Sequence, residues 1–287
     1  MFEGFEERRI ATTGAEIFVR TAGSGEPLLL LHGYPQTHAM WHLVAPRLAE
    51  RYTVVCPDLR GYGASSKPAS DPAHLTYSKR ATAQDAVEVM SALGFDRFRL
   101  AGHDRGGRVA HRLALDHPGR VERLAVLDII PTHHVFTNVD QQVATATYHW
   151  FILIQPAPFP ETLIGHDPAF FLRWSLKSWS AGRDDFFAPA ALAAYEAAFA
   201  DPATIHATCE DYRAGASVDL EHDTADLGRR VACPTLVLWG EKGKPHDLAA
   251  IWRAYADDVT GKALPAGHFL AEELPAETAA ALAEFFA

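Results

Sequence analysis

The stretch Leu100-Ala101-Gly102-His103-Asp104-Arg105-Gly106-Gly107-Arg108 constrains this chain more than any other. It follows a run of strand character, Arg97-Phe98-Arg99-Leu100, and precedes a helical run from Val109 to His117 that Pro118-Gly119 stops. Glycines at 102 and 106 flank a central Asp104, which is the pattern of a sharp strand-to-helix turn that lifts one side chain above a sheet. Serine is the commoner residue at that place. A carboxylate is already ionised at neutral pH and attacks a saturated carbon directly, forming an ester with its substrate. A base is then needed only for the water that cleaves the ester. Asp104 therefore points to displacement of a halide or an epoxide oxygen, and away from peptide or ordinary ester hydrolysis.

The flanking segments imply a mostly parallel sheet covered by helices on both faces. Phe5 to Thr21 alternates as an edge hairpin turning near Thr13-Gly14. Pro27-Leu28-Leu29-Leu30-Leu31 is a continuous apolar run, as in a strand buried on both faces. A helix is expected over Met40–Glu50, a strand over Tyr52–Cys56, a helix over Tyr77–Leu93 and a strand over Val121–Leu127. From about Pro131 to Arg230 no strand pattern is visible. That segment is helical, aromatic and broken by Pro156, Pro158, Pro160 and Pro168, so it reads as a helical cap inserted after the sixth strand. Strand character returns at Cys233–Trp239 and Val259–Leu264, with helices over Leu248–Tyr255 and Pro275–Ala287. The expected division is a core of residues 1–130 and 231–287 with a cap of residues 131–230.

Chemistry-bearing residues recur at the ends of these strands, where open α/β sheets bind ligands. The chain order is nucleophile Asp104, then an acid, then His268 in Pro265-Ala266-Gly267-His268-Phe269. His268 is expected to activate the water that attacks the Asp104 ester. The acid orienting it is Asp128, at the carboxyl end of its strand, with Glu241 and Asp247 after the next strand as alternatives. His32-Gly33-Tyr34-Pro35 sits where such a fold supplies one oxyanion-hole amide, and the backbone N–H groups of Tyr34 and Arg105 are the expected donors. Arg105 and Arg108 are three apart on one helix face. A pair of guanidiniums beside an anionic nucleophile suits a substrate carboxylate, held bidentately and relieved of repulsion from Asp104.

Asp104-Arg105-Gly106-Gly107-Arg108, with Asp128 and His268, resembles the haloacetate dehalogenases of the α/β-hydrolase fold, the fluoroacetate dehalogenase group, along essentially the whole chain. Haloalkane dehalogenases and epoxide hydrolases share the aspartate elbow but usually carry Trp where this chain has Arg105. The resemblance implies hydrolysis of a haloacetate to glycolate and halide through an aspartyl ester. It also implies a halide cradle of His149, Trp150 and Tyr212, and a homodimer. The alternative within the fold is an epoxide hydrolase, for which Tyr148, Tyr195 and Tyr212 are the available phenols. The segment Gly240–Leu248 looks shorter than the corresponding loop of the family.

Charge and cysteines bound the partners. Formal net charge is −10, which argues against nucleic acid and anionic membrane surfaces and leaves a small anion in a local basic pocket. Cys56, Cys209 and Cys233 are widely spaced and odd in number, which suits a reducing cytoplasm better than a disulfide framework. No signal-type run opens the chain, no membrane-length apolar run occurs, and no metal-ligand spacing stands out, so neither metal nor organic cofactor is expected.

Overall fold

Four consecutive leucines, Leu28 to Leu31, are wholly excluded from solvent, at about 1.5–3 kcal/mol of apolar transfer each. A strand buried on both faces must lie inside a sheet with cover above and below, and that is where the computed structural model puts it. The structure describes residues 1–242 and 247–287. Among these, eight strands build one sheet: β1 (Glu6–Ala11), β2 (Glu16–Ala22), β3 (Pro27–Leu31), β4 (Thr53–Pro57), β5 (Phe98–His103), β6 (Val121–Leu127), β7 (Thr235–Gly240) and β8 (Val259–Leu264). The order across the sheet is β1-β2-β4-β3-β5-β6-β7-β8. β1 and β2 form an antiparallel hairpin, and β2 runs antiparallel to β4. The remaining pairings from β4 to β8 are parallel.

Core helices are α1 (Ala45–Leu48), α2 (Lys79–Ala92) and α3 (Arg105–Asp116). Between β6 and β7 come α4 (Thr132–Thr137), α5 (Gln141–Ala146), α6 (Tyr148–Leu153), α7 (Phe159–His166), α8 (Pro168–Trp179), α9 (Pro189–Phe199), α10 (Pro202–Ala216) and α11 (Val218–Ala225). The chain closes with α12 (Leu248–Trp252), α13 (Leu270–Glu273) and α14 (Pro275–Phe286). Of the prolines that break the pattern of the middle segment, Pro156 and Pro158 lie between α6 and α7, while Pro160 and Pro168, like Pro189 and Pro202, sit in first turns, where a missing N–H costs nothing. Asp167 and Asp201 cap two of these turns, accepting from Phe170 N–H at 3.0 Å and Ala203 N–H at 2.9 Å.

The expected strands over 121–127 and 259–264 coincide with β6 and β8. The helix expected over 40–50 does not form as one piece. A 3₁₀ turn, His38–Trp41, is followed by the four-residue α1, whose first turn holds Pro46; proline starts a helix and cannot continue one. The helix expected from Tyr77 starts at Lys79, because the Ser78 side chain accepts from Ala81 N–H and caps it there. The 240–248 segment lies partly outside the described residues.

Candidate active site

Asp104 ends β5 and opens α3 with φ 47° and ψ −116°, a backbone state that L-residues avoid. Glycines make the turn sterically feasible. A Cβ on Gly102 would lie 2.4 Å from the Gly106 carbonyl oxygen, and one on Gly33 would lie 2.5 Å from the Asp104 Cβ. α3 therefore starts at Arg105, four residues before its apolar periodicity is legible at Val109. The turn aims the Asp104 carboxylate at the Tyr34 loop, and Tyr34 donates its backbone N–H to Oδ1 at 2.9 Å. Burial alone would raise the Asp104 carboxyl; His268, His103, Arg105 and the Tyr34 N–H together outweigh it and hold it below its ordinary range. It is an anion at neutral pH.

His268 approaches from the loop after β8. Its Nε2 is 3.9 Å from Asp104 Oδ2, too far for a hydrogen bond, while its Nδ1 pairs with Asp128 Oδ2 at 2.6 Å. Asp128 follows β6 with a positive φ of 50° and accepts the Gly240 N–H at 3.0 Å through its other oxygen. Of the three carboxylates that could orient the histidine, Asp128 is the one brought to it. Glu241 is exposed, and Asp247 caps α12 by accepting from Ala250 N–H at 3.2 Å.

The two arginines are buried on one face of α3 but differ in their partners. Arg105 donates Nε to Asp211 Oδ2 at 2.7 Å and Nη2 to the Asp211 carbonyl at 2.6 Å, with its guanidinium 4.1 Å from the Tyr212 ring centre. Asp211 also takes the Lys79 ammonium and the Tyr62 hydroxyl, the latter at 2.9 Å. Burial would raise the Asp211 carboxyl, but Arg105 and Lys79 hold it far below its usual range. Arg108 donates Nη1 to the Thr132 hydroxyl at 2.7 Å and lies 4.5 Å over the Trp150 ring. Its Nε has no hydrogen-bond partner among the described residues. Burial first, and Arg105 second, push the Arg108 guanidinium down to about 10. That is a buried cation whose cost an incoming anion would relieve.

His149, Trp150 and Tyr212 meet above this face. The His149 and Tyr212 rings are 5.8 Å apart and the Trp150 and Tyr212 rings 6.1 Å, with Tyr34 5.2 Å from Tyr212. Burial pushes the His149 imidazole down to about 3, so the ring is neutral. His149 Nδ1 and the hydroxyls of Tyr34 and Tyr212 are buried without hydrogen-bond partners among the described residues. Of the other phenols singled out in the sequence, Tyr195 donates to Glu272 at 3.1 Å, and Tyr148 lies edge-on to His149 at 5.7 Å.

Several groups here escape sequence reasoning. Asp211 adjoins Tyr212, but nothing local ties it to Arg105, 106 residues away. Thr132 sits on the first turn after β6. Trp179, from α8, packs 4.3 Å from the His149 ring. His103, which precedes the nucleophile, donates its Nε2–H to the His268 carbonyl at 2.8 Å, so Nε2 carries the proton.

Known proteins resemble this chain over most of its length. A family profile described as alpha/beta hydrolase fold matches residues 26–275. Fluoroacetate dehalogenase from Burkholderia sp is 51% identical, over 99% of this chain and 95% of its own length. Soluble epoxide hydrolase from Corynebacterium sp. (strain C12) is 35% identical, over 93% of this chain and 92% of its own length. A crystal structure from Nostoc sp PCC 7120, described as an alpha/beta hydrolase, superimposes with a TM-score of 0.97 at 58% identity, covering 100% of this chain and 99% of that one.

Proposed function

This chain belongs to the alpha/beta hydrolase family, and from that premise we propose that it is a haloacetate dehalogenase, converting fluoroacetate or chloroacetate to glycolate and halide. The observation that carries the reading is Arg108: a buried guanidinium with an unsatisfied Nε, on the same helix face as the residue next to the nucleophile. A neutral haloalkane or epoxide would leave that Nε without an anionic acceptor; a carboxylate supplies one.

Arg105 and Arg108 hold the substrate carboxylate. Asp104 Oδ2 attacks the halogen-bearing carbon, and the carbon–halogen electron pair departs with the halide. His149, Trp150 and Tyr212 receive it with an imidazole N–H, an indole N–H and a phenol, stabilising charge that grows only as the bond breaks. His268, oriented by Asp128, then takes a proton from water whose oxygen attacks Asp104 Cγ. Negative charge develops on Oδ1, where the Tyr34 N–H already lies at 2.9 Å, with Arg105 N–H as the second donor. Collapse releases glycolate, which carries Oδ2 away and takes the His268 proton. The water oxygen remains on Asp104, whose carboxyl loses the second water proton to solvent and is a carboxylate again.

Residues 131–230 act as the cap over a core of residues 1–130 and 231–287, supplying the halide cradle and the Asp211 anchor. The working form is a homodimer. Phe159 and Leu163 on α7 and Phe170 and Trp174 on α8 are 53–63% exposed at helical spacing, an apolar surface that a second copy would cover. No helix among the described residues is long and apolar enough to cross a membrane, and the cytoplasm is the proposed compartment.

The rival is epoxide hydrolysis, which the Corynebacterium relative and the unpartnered Tyr212 hydroxyl favour. Incubation with fluoroacetate, chloroacetate and styrene oxide separates the two. Halide and glycolate without diol is the expected result; diol from styrene oxide with inert haloacetates overturns the proposal. In a His268→Asn variant, intact-protein mass after chloroacetate exposure should show a glycolyl ester on Asp104.

A further inference from the structure

The loop that carries His268 is held by one side chain from α13. Glu273 accepts the Gly267 N–H through Oε2 at 2.8 Å and the Phe269 N–H through Oε1 at 3.1 Å, so its two oxygens grip the amides on either side of His268. The remaining main-chain groups of the histidine are fixed from other directions. Its N–H donates to the Trp179 carbonyl at 3.0 Å, and its carbonyl accepts from His103 Nε2 at 2.8 Å. Position 267 has no room for a side chain, since a Cβ there would lie 2.9 Å from Glu273 Oε1 and 3.0 Å from the Trp179 carbonyl oxygen.

We propose that Glu273 is a positioning residue for the second half of the reaction: its two-point grip on Gly267 and Phe269 holds His268 in line with Asp128 and Asp104. The inference rests on the covalent dehalogenase reading above. The Asp128–His268 pair fixes the ring's tilt, and the bonds to Trp179 and His103 fix the histidine's own main chain; what remains are constraints on the two flanking amides. A carboxylate bonded to the N–H on each side of one residue supplies them, because charge-assisted bonds to backbone amides are short and directional. His268 exchanges no proton while Asp104 attacks carbon. Losing the grip should therefore slow hydrolysis of the ester and leave its formation alone, a split that general loss of stability would not produce.

The experiment compares wild type, Glu273→Ala, Glu273→Gln and His268→Asn by rapid-quench chloride release from chloroacetate, with intact-protein mass of the quenched enzyme. For Glu273→Ala the expected result is an undiminished single-turnover chloride burst and accumulation of the Asp104 ester. Its steady state should be slower by roughly 10- to 100-fold, the scale of an ångström-sized displacement of a reacting group. Glu273→Gln keeps one acceptor but turns an NH₂ toward the other amide, so it should fall between wild type and Ala. Burst and steady state falling together, or neither changing, overturns the inference, and the Gln variant decides should the Ala variant not fold. If His268→Asn accumulates ester while the Glu273 variants do not, Glu273 alone loses its role. If His268→Asn shows no ester and wild type no chloride, the dehalogenase reading itself has failed.

Discussion

Tyr34 donates its backbone N–H to Oδ1 of Asp104 at 2.9 Å, while the other oxygen, Oδ2, stands 3.9 Å from His268 Nε2. The two oxygens of one carboxylate are thereby made unequal: one already rests on the donor that would stabilise an oxyanion, and the other is left to attack. That asymmetry assigns the two oxygens their parts in the proposed reaction.

Oxygen exchange tests it directly. Under multiple turnover of chloroacetate in heavy-oxygen water, one labelled oxygen should enter the Asp104 side chain, seen as a mass shift confined to the peptide holding it. Label appearing only in glycolate, with Asp104 unlabelled after many turnovers, would mean that water attacks the substrate directly.

The arginines should respond differently to substitution. Arg108→Gln removes the cation with an unsatisfied Nε and should raise KM for chloroacetate by roughly 10- to 100-fold, the value of one charge-assisted pair at about 1.5–3 kcal/mol, with little change in Tm. Asp211→Asn leaves Arg105 and Lys79 buried beside a neutral amide. It should cost stability by about 3–5 kcal/mol, as for any buried pair deprived of one partner, and raise KM as Arg105 shifts. Steady-state kinetics and thermal melts of both variants check the contrast. Equal loss of Tm in both would contradict the division of labour between the two guanidiniums.

Tyr212→Phe deletes a buried hydroxyl with no partner among the described residues. Its effect should grow with the leaving group's need for stabilisation: kcat for fluoroacetate falling about 10-fold more than kcat for bromoacetate, or about 1.4 kcal/mol of transition-state binding. A uniform fall across halides would place the hydroxyl in packing and not in halide capture.

Glu272 predicts a pH dependence of stability. It is buried against the Gln36 amide and the Tyr195 hydroxyl, and burial pushes its carboxyl from 4.5 up to about 8. The folded protein thus keeps a proton that the unfolded chain releases above pH 4.5. Stability is fully present below that value and falls as pH rises toward about 8, by on the order of 3–5 kcal/mol. Glu272→Gln removes this source of loss, so melts at pH 5 and pH 9 should show the variant gaining on wild type at the higher pH. Parallel melting curves across that range would show that Glu272 is ionised in the fold.

Much of this protein is legible along the chain because the signals are local. The four leucines of β3, the runs that became β6 and β8, and the glycines around Asp104 each act on their near neighbours. Asp128 and His268 are legible too, since each stands at a fixed place relative to a strand end. The helix over 40–50 was misread because apolar spacing outweighed Pro46, which can start α1 but not continue the helix before it. Pro156 and Pro158 do separate two helices, as their spacing suggests, whereas Pro160 and Pro168 lie in first turns, a position within a helix that is invisible until the helix is seen.

The amino-acid order alone determined the sheet, the aspartate elbow and the kind of chemistry an aspartate at that turn performs, because covalent neighbours and short-range sterics set those. Tertiary structure decided the rest: that Asp128 and not Glu241 or Asp247 reaches His268, that Asp211 claims Arg105 while Arg108 keeps an unsatisfied donor, and that Glu273 grips the histidine loop. Those choices depend on which side chains share a low-dielectric interior after the chain has crossed itself many times. Coulomb and hydrogen-bond energies there follow distance in space, to which separation along the chain is no guide.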